Sequence, residues 1–476
     1  MFRKFKQILL LAVMTLGGTV LSVAQEAEKL SLDQAIKMAL QNNTNIINSQ
    51  LDLKIGKKRI WETIAKGLPH VDVRSSYQYL FKIPTLSFPG TELSSTRVPL
   101  DETTGVGTIS ELQLASGENI FLNNVTGTPI PLGVKNNIST DITVSQLIFN
   151  GTFFVGLQAT KVYYQSAEHS DEKTRLDVIE TVVNTYRMIQ LAEESRRILA
   201  QSLENMDKTL SDIKEMNKQG FVEKTDVDQL EVTANNVRNA INQIDSNLDM
   251  GYRLMKIQLG LEETVKIELS DEMESGESLI QSSTQLAAEQ FDINQNVDYK
   301  LIESSVKIAQ VDLNLSKASF FPSINSFYNH NIQSNSAAFN FVPRDLIGVN
   351  LSLPIFSSGE RLAIVSQRRM AVEKAGNTRK SVSNSLIMQA SEYQTDVKLK
   401  MERYQNQKKS KELSDDIYQR TMEKYKQGMA SSMDLMNTQN QYLTNLTNYY
   451  QSMYDLQAAR SKLEKMYNIN AKALTK

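Results

Sequence analysis

The nine prolines of this chain fall in two windows, Pro69 to Pro131 and Pro322 to Pro354, and the long stretches between and after those windows contain none. Residues 157–219 and 377–427 lack glycine as well, so neither helix breaker interrupts them. A single helix over the first of these stretches would run ~95 Å at 1.5 Å per residue, well beyond the ordinary globular helix. The pattern predicts two short β-capable regions, each followed by a helical rod, with one architecture laid down twice.

The two halves align residue by residue. Leu51, Leu53, Ile55, Ile60, Ala65, Leu68 and Pro69 stand opposite Ser304, Val306, Ile308, Leu313, Ala318, Phe321 and Pro322 at a constant offset of 253. Each proline opens a segment of period two, as expected for proline at a strand start. Val71, Val73, Tyr77, Tyr79 and Phe81 face one way, and Asp72, Arg74, Ser76 and Gln78 face the other. Return strands follow, with Ile138, Thr140, Ile142 and Val144 in the first half and Ile347, Val349, Leu351, Leu353 and Ile355 in the second. Both end on similar corners, Leu147-Ile148-Phe149-Asn150-Gly151 and Pro354-Ile355-Phe356-Ser357-Ser358-Gly359.

After each corner the apolar period becomes helical. Val227, Leu230, Ala234, Val237, Ile241, Ile244 and Leu248 carry coiled-coil spacing, as do Tyr442, Leu446, Tyr449, Met453 and Leu456. One glycine turn divides each rod, at Gln219-Gly220 and at Gln427-Gly428, so each half predicts a long α-hairpin with a tip. The expected order is a helix over 30–65, strands at 69–82 and 136–149 joined by a long connection 83–135, and a hairpin over 152–260. An acidic connecting segment 261–298 follows, read as a solvated face. A second helix over 299–318, strands at 322–333 and 346–356, a hairpin over 360–467 and a tail 468–476 complete the chain.

Arg3, Lys4 and Lys6 precede the apolar run Ile8 to Leu16, and Ser22-Val23-Ala24 offers a small-residue cleavage site, so residues 1–24 read as a secretory signal peptide. The chain has no cysteine, which leaves neither disulfide stapling nor a lipid-modified cysteine. A formal net charge of -2 gives no sign of nucleic-acid binding. His70, His169 and His330 are the only histidines, and none sits in an HExxH zinc arrangement. Nothing here points to an enzyme, a metal or a cofactor.

Strands of about ten residues have the length of membrane-spanning β-strands. Four of them cannot close a barrel, and lipid does not tolerate an open edge, so strands from several copies must combine. A soluble sandwich on a coiled-coil stalk would also alternate, but the polar faces lack the large residues a second sheet would pack against.

The twofold helix, strand, strand, helix repeat resembles the TolC family of outer-membrane efflux proteins. So do the opening Leu30-Ser31-Leu32-Asp33-Gln34-Ala35 and Ala39-Leu40-Gln41-Asn42-Asn43, the corner Leu353-Pro354-Ile355-Phe356, and the tips Gln219-Gly220 to Asp226 and Gln427-Gly428 to Asp434. The resemblance covers essentially all of the chain after the leader. It implies a mainly helical fold with a small β part, in which long α-hairpins form a periplasmic tunnel joined to a transmembrane β-barrel of four strands per chain in a homotrimer, with residues 83–135 as an extracellular loop and 261–298 as an equatorial segment. The trimer would lie in the outer membrane of a Gram-negative bacterium, in contact with its lipid, as a passive exit duct for small molecules. Its expected partners are a periplasmic adaptor and an inner-membrane transporter. A dedicated protein-secretion channel is the alternative, and a coiled-coil surface adhesin a more distant one.

The resemblance also implies a gate where the tips converge, near the turns at Gly220 and Gly428. Family contacts that close it map onto Tyr425 with Asp226, and onto Thr225 with position 430, where Ala430 stands in place of arginine. The family's two carboxylate rings map onto Asp434 and onto Asn437, so one ring keeps its charge and the other is neutral. Asp434 and Asp226 each sit where an aspartate would also favour a helix start.

Overall fold

The computed structural model describes residues 28–86, 89–96, 111–113, 119–126, 130–334 and 342–469. The leader expected at 1–24 lies outside them. In chain order the first elements are β1 (Glu28–Leu30), α1 (Leu32–Asn42), α2 (Thr44–Ala65), β2 (His70–Tyr79), β3 (Thr85–Leu86), β4 (Pro89–Thr96), β5 (Glu111–Gln113), β6 (Asn119–Thr126), β7 (Ile130–Pro131), β8 (Asn136–Asn150) and α3 (Gly151–Lys218). Then come α4 (Lys224–Leu259), β9 (Ile267–Leu269), α5 (Gly276–Ala288), a 3-10 turn (Ile293–Gln295), α6 (Val297–Ala318), β10 (Ser323–Gln333), β11 (Asp345–Ser352), α7 (Glu360–Lys426) and α8 (Ser432–Met466). Thr44 to Val297 and Ala65 to Ala318 are both separated by 253, the offset read from the sequence.

The chain divides into two compact units, one of Met1–Arg59, Ala159–Asp312 and Gln367–Lys476, the other of Ile60–Gln158 and Leu313–Ser366. The second unit carries an antiparallel four-stranded sheet in the order β11-β10-β8-β2. Its register puts like beside like: Val71 pairs with Val144, Val73 with Ile142 and Tyr77 with Ile138. On the same face Tyr328 pairs with Val144 and with Ile347. The opposite face is a polar ladder in which Asn331 Nδ2 donates to Asp141 Oδ1 at 2.7 Å and Gln333 Nε2 to Asn137 Oδ1 at 2.7 Å. A bulge opposite Ile324 and Asn325 absorbs Ile148 and keeps Phe149 paired with Ile324. Asn150 then ends the strand, because its Oδ1 accepts from the Thr152 and Phe153 amides and so caps α3.

Among the described residues nothing covers the apolar face of this sheet. Val71, Val73, Val349 and Leu351 are each about two-thirds exposed, and β2 and β11 are free edges of the sheet. The expected loop 83–135 has more order than its composition suggested, since β3 pairs with β7, and β4, β6 and β5 form a further sheet.

The first unit is helical. Its larger core joins Ile213, Val227, Leu230, Ala234 and Val237 of the first hairpin to Tyr404, Tyr418, Leu435, Tyr442, Leu446, Met453 and Leu456 of the second. Each fully buried leucine contributes about 1.5–3 kcal/mol. Along α4 the coiled-coil positions are buried from Val227 to Val237 and only half-buried from Ile241 to Leu248. Tyr418 and Tyr442 stack with ring centroids 5.7 Å apart.

A smaller core gathers Leu30, Ala35, Ile46, Val182, Tyr186, Met255 and Ile267 around β1, which pairs in parallel with β9. Here two expectations need correcting. The helix expected over 30–65 is broken at Asn43, whose Oδ1 accepts from the Asn45 amide and whose Nδ2 donates to the Gln258 carbonyl. The acidic segment 261–298 is not merely a solvated face, because Glu274 takes a hydrogen-bonded ion pair from the half-buried Arg460 and Asp271 accepts from the Leu32 amide. No described helix is long and apolar enough to cross a membrane.

Candidate functional site

The two tips of the helical unit are built alike. After α3, the Gly220 amide donates to the Asn217 carbonyl and the Phe221 amide to the Met216 carbonyl; after α7, Gly428 donates to Tyr425 and Met429 to Lys424. This is the bond pair of a helix end closed by a left-handed residue. Gly220 and Gly428 have φ of +78° and +70°, and a Cβ at either would meet nothing within 4 Å. Glycine is therefore required here by backbone conformation and not by crowding.

The helices that leave the tips start differently. Ser431 caps α8 through a reciprocal box: its Oγ accepts from the Asp434 amide at 3.1 Å while its own amide donates to Asp434 Oδ2 at 3.2 Å. These bonds from Ser431 hold the Asp434 carboxyl below the usual aspartate range. Glu223, at the matching position before α4, makes no side-chain cap. Asp226 is thus left free to reach across, and its Oδ1 accepts from the Ser432 hydroxyl. That bond joins the first turn of α4 to the first turn of α8.

Tyr425 sits beside this link without being its donor. Its ring packs against the larger core, and burial first, then the Asp226 charge, raises its phenol above the ordinary tyrosine value. The expected Tyr425 to Asp226 hydrogen bond is thus replaced, within one chain, by the shorter reach of Ser432. Thr225 donates to Glu223 at 3.1 Å, inside its own hairpin, and Ala430 offers it no polar partner. Asn437 is exposed three residues beyond Asp434.

The structure brings together Asp226 with the neighbourhood of Tyr425, and it places Asp434 in a cap. Sequence reasoning missed Ser431, Ser432 and Asn217. The Ser431-x-x-Asp434 spacing ahead of an apolar run was the available signal for the cap. Asn217 lies at the position of Tyr425 in the other tip and donates to the Val222 carbonyl at 2.6 Å, a closure that no residue pattern announces. Below the tips Gln439 is 1% exposed with its Nε2 unpartnered, so the α8 interior is not wholly apolar there.

Residues 293–468 match the family model described as outer membrane efflux protein. The outer membrane protein TolC of Vibrio cholerae serotype O1 is 20% identical over 273 residues, which span 55% of this chain and 60% of that protein. Among solved structures, VceC of Vibrio cholerae superposes with a TM-score of 0.64 at 13% identity, covering 92% of this chain and 96% of its own. The CmeC channel of Campylobacter jejuni gives 0.68 at 17% identity over 94% and 89%. The resemblance read from the sequence agrees with the family model over residues 293–468, and the superpositions bear out the fold.

Proposed function

We propose that this chain, which belongs with the TolC-type outer membrane efflux proteins, is a passive exit duct for small molecules in the outer membrane. The observation that carries this is the sheet of β2, β8, β10 and β11, with an uncovered apolar face and two free edges. Such a surface is stable where lipid covers the face and neighbouring copies pair the edges. Three copies would give twelve strands, within the range that closes a membrane barrel, and twelve helices for a tunnel. A periplasmic adaptor and an inner-membrane transporter would complete a tripartite efflux or type I secretion system. The driving energy would come from the transporter, since no phosphate-binding glycine loop occurs in the sequence.

The hairpin tips would form the gate. Three Asp434 carboxylates converging on a narrow aperture would draw cations, while Asn437 adds no charge. Purified protein in planar bilayers tests both points: discrete conductance is expected from a species that light scattering sizes as a trimer. Asp434→Asn is expected to reduce cation selectivity and block by trivalent cations at low salt, and Asn437→Asp to strengthen them. A stable monomer with full strand content would sink the duct reading. Unchanged selectivity in conducting Asp434→Asn trimers would limit Asp434 to its cap.

A further inference from the structure

A polar groove in the helical unit has no part in the gate. It lies along α2 and α3, closed at one end by α4, with a volume of about 500 Å³. Through the shared Ser49, Asp52 and Ser170 it continues into a second stretch of about 610 Å³. Each stretch alone has the size of a small-molecule site.

The walls are hydrogen-bonding, and their charged groups are Asp52 and Asp177 in the inner stretch and Arg59 in the outer one. Asn45 and Asn48 of α2 look across at Thr174 and Thr181 of α3, residues spaced to share one face of each helix. No lysine, arginine or histidine lines the inner stretch, so nothing there would hold a phosphate or a carboxylate. Val178, Val182 and Ile257 supply its apolar lining. In the outer stretch the Tyr164 ring lies against Gly56, where a Cβ would come within 3.1 Å of it. Glycine at 56 thus lets a flat ring lie close along the groove.

At the closed end stands Gln258, 7% exposed, whose Nε2 donates to Thr185 Oγ1 at 2.9 Å and whose Oε1 has no partner. Turning the amide over moves the deficit to the nitrogen without curing it. A buried amide atom left unpaired is costly, and a ligand hydroxyl, able both to donate and to accept, satisfies it in either orientation. On the other face of α2, Ile47 and Leu51 are 44% and 47% exposed. A second copy seated on that face would leave the groove accessible.

We propose that this groove binds a neutral saccharide chain. Hydroxyl-rich rings match the alternating amide and hydroxyl walls, and the Tyr164 ring offers an apolar surface to a sugar face. The proposal stands independently of the gate and of the transported substrate.

The test uses the full-length assembled protein in detergent, titrated calorimetrically with chitohexaose, maltohexaose and inorganic phosphate. Saturable binding of at least one hexaose and none of phosphate is expected. Chitohexaose alone would identify an amino-sugar chain such as a cell-wall glycan, and maltohexaose alone a glucan. Asn48→Ala with Thr181→Ala, both at exposed positions, should weaken binding about tenfold with oligomeric size and melting unchanged. Gln258→Met should weaken it too. Failure of both hexaoses to bind, binding that survives all three substitutions, preference for phosphate, or a change of oligomeric state in the alanine variant would each overturn the proposal. Conductance measured on the same samples keeps this outcome separate from that of the duct.

Discussion

The Ser432 hydroxyl donates to the Asp226 carboxylate and so ties the start of α8 to the start of α4. The two residues lie 206 apart in sequence, each in the first turn of its hairpin's second helix. Opening the tips by separating the hairpins must break this bond.

Ser432→Ala should therefore loosen the tips. A hydrogen bond to a charged group contributes about 1.5–3 kcal/mol, and partial exposure here places the value at the lower end. Amide exchange at residues 224–228 and 432–436 should accelerate, and single-channel conductance should rise. Tyr425→Phe should change both far less, because Tyr425 is not the donor. If Tyr425→Phe opened the channel and Ser432→Ala did not, closure would depend on a bond between chains.

The capping box makes a pH-dependent contribution. Asp434 titrates below its ordinary value because the Ser431 amide and hydroxyl donate to its ionised form. Stability from this source is complete above the unfolded aspartate value of about 3.9 and is lost as pH falls through the lower folded value. Ser431→Ala should cost about 1 kcal/mol and weaken that dependence, since only the backbone amide then donates to Asp434. Exchange rates in the first turn of α8 between pH 5 and 3, compared between the variant and the wild type, give the answer.

Gly428→Ala and Gly220→Ala isolate the backbone term at the tips, since neither new methyl would touch a neighbour. Each should lower stability by about 1–2 kcal/mol through the left-handed φ alone, and asparagine at either position by less. Equal losses for alanine and asparagine in thermal melts would mean that contacts unseen within one chain surround the turns.

Tyr186 anchors β1 by donating to the Leu30 carbonyl at 3.0 Å, and burial pushes its phenol up to about 12. The folded protein holds this proton where an unfolded chain, with a value near 10, has released it. Stability should accordingly fall as pH rises from about 10 towards 12. Tyr186→Phe should cost about 1 kcal/mol at neutral pH and flatten that alkaline slope. Denaturant melts across the alkaline range, with the variant as control, measure both.

By itself the sequence determined the repeat, the strand faces and the helical rods, because these rest on period and on the placement of proline and glycine, which are local. Val71 facing with Val73, Val227 buried with Leu230, and the left-handed turns at Gly220 and Gly428 follow from spacing alone. Partners distant in the chain were decided only by tertiary structure. The break at Asn43 depends on a carbonyl of Gln258, the engagement of Glu274 on Arg460, and the choice of Ser432 over Tyr425 as the donor to Asp226 on how two hairpins meet. A side-chain bond across a fold is set by the last ångström of packing between elements, and no periodicity within either element encodes that distance.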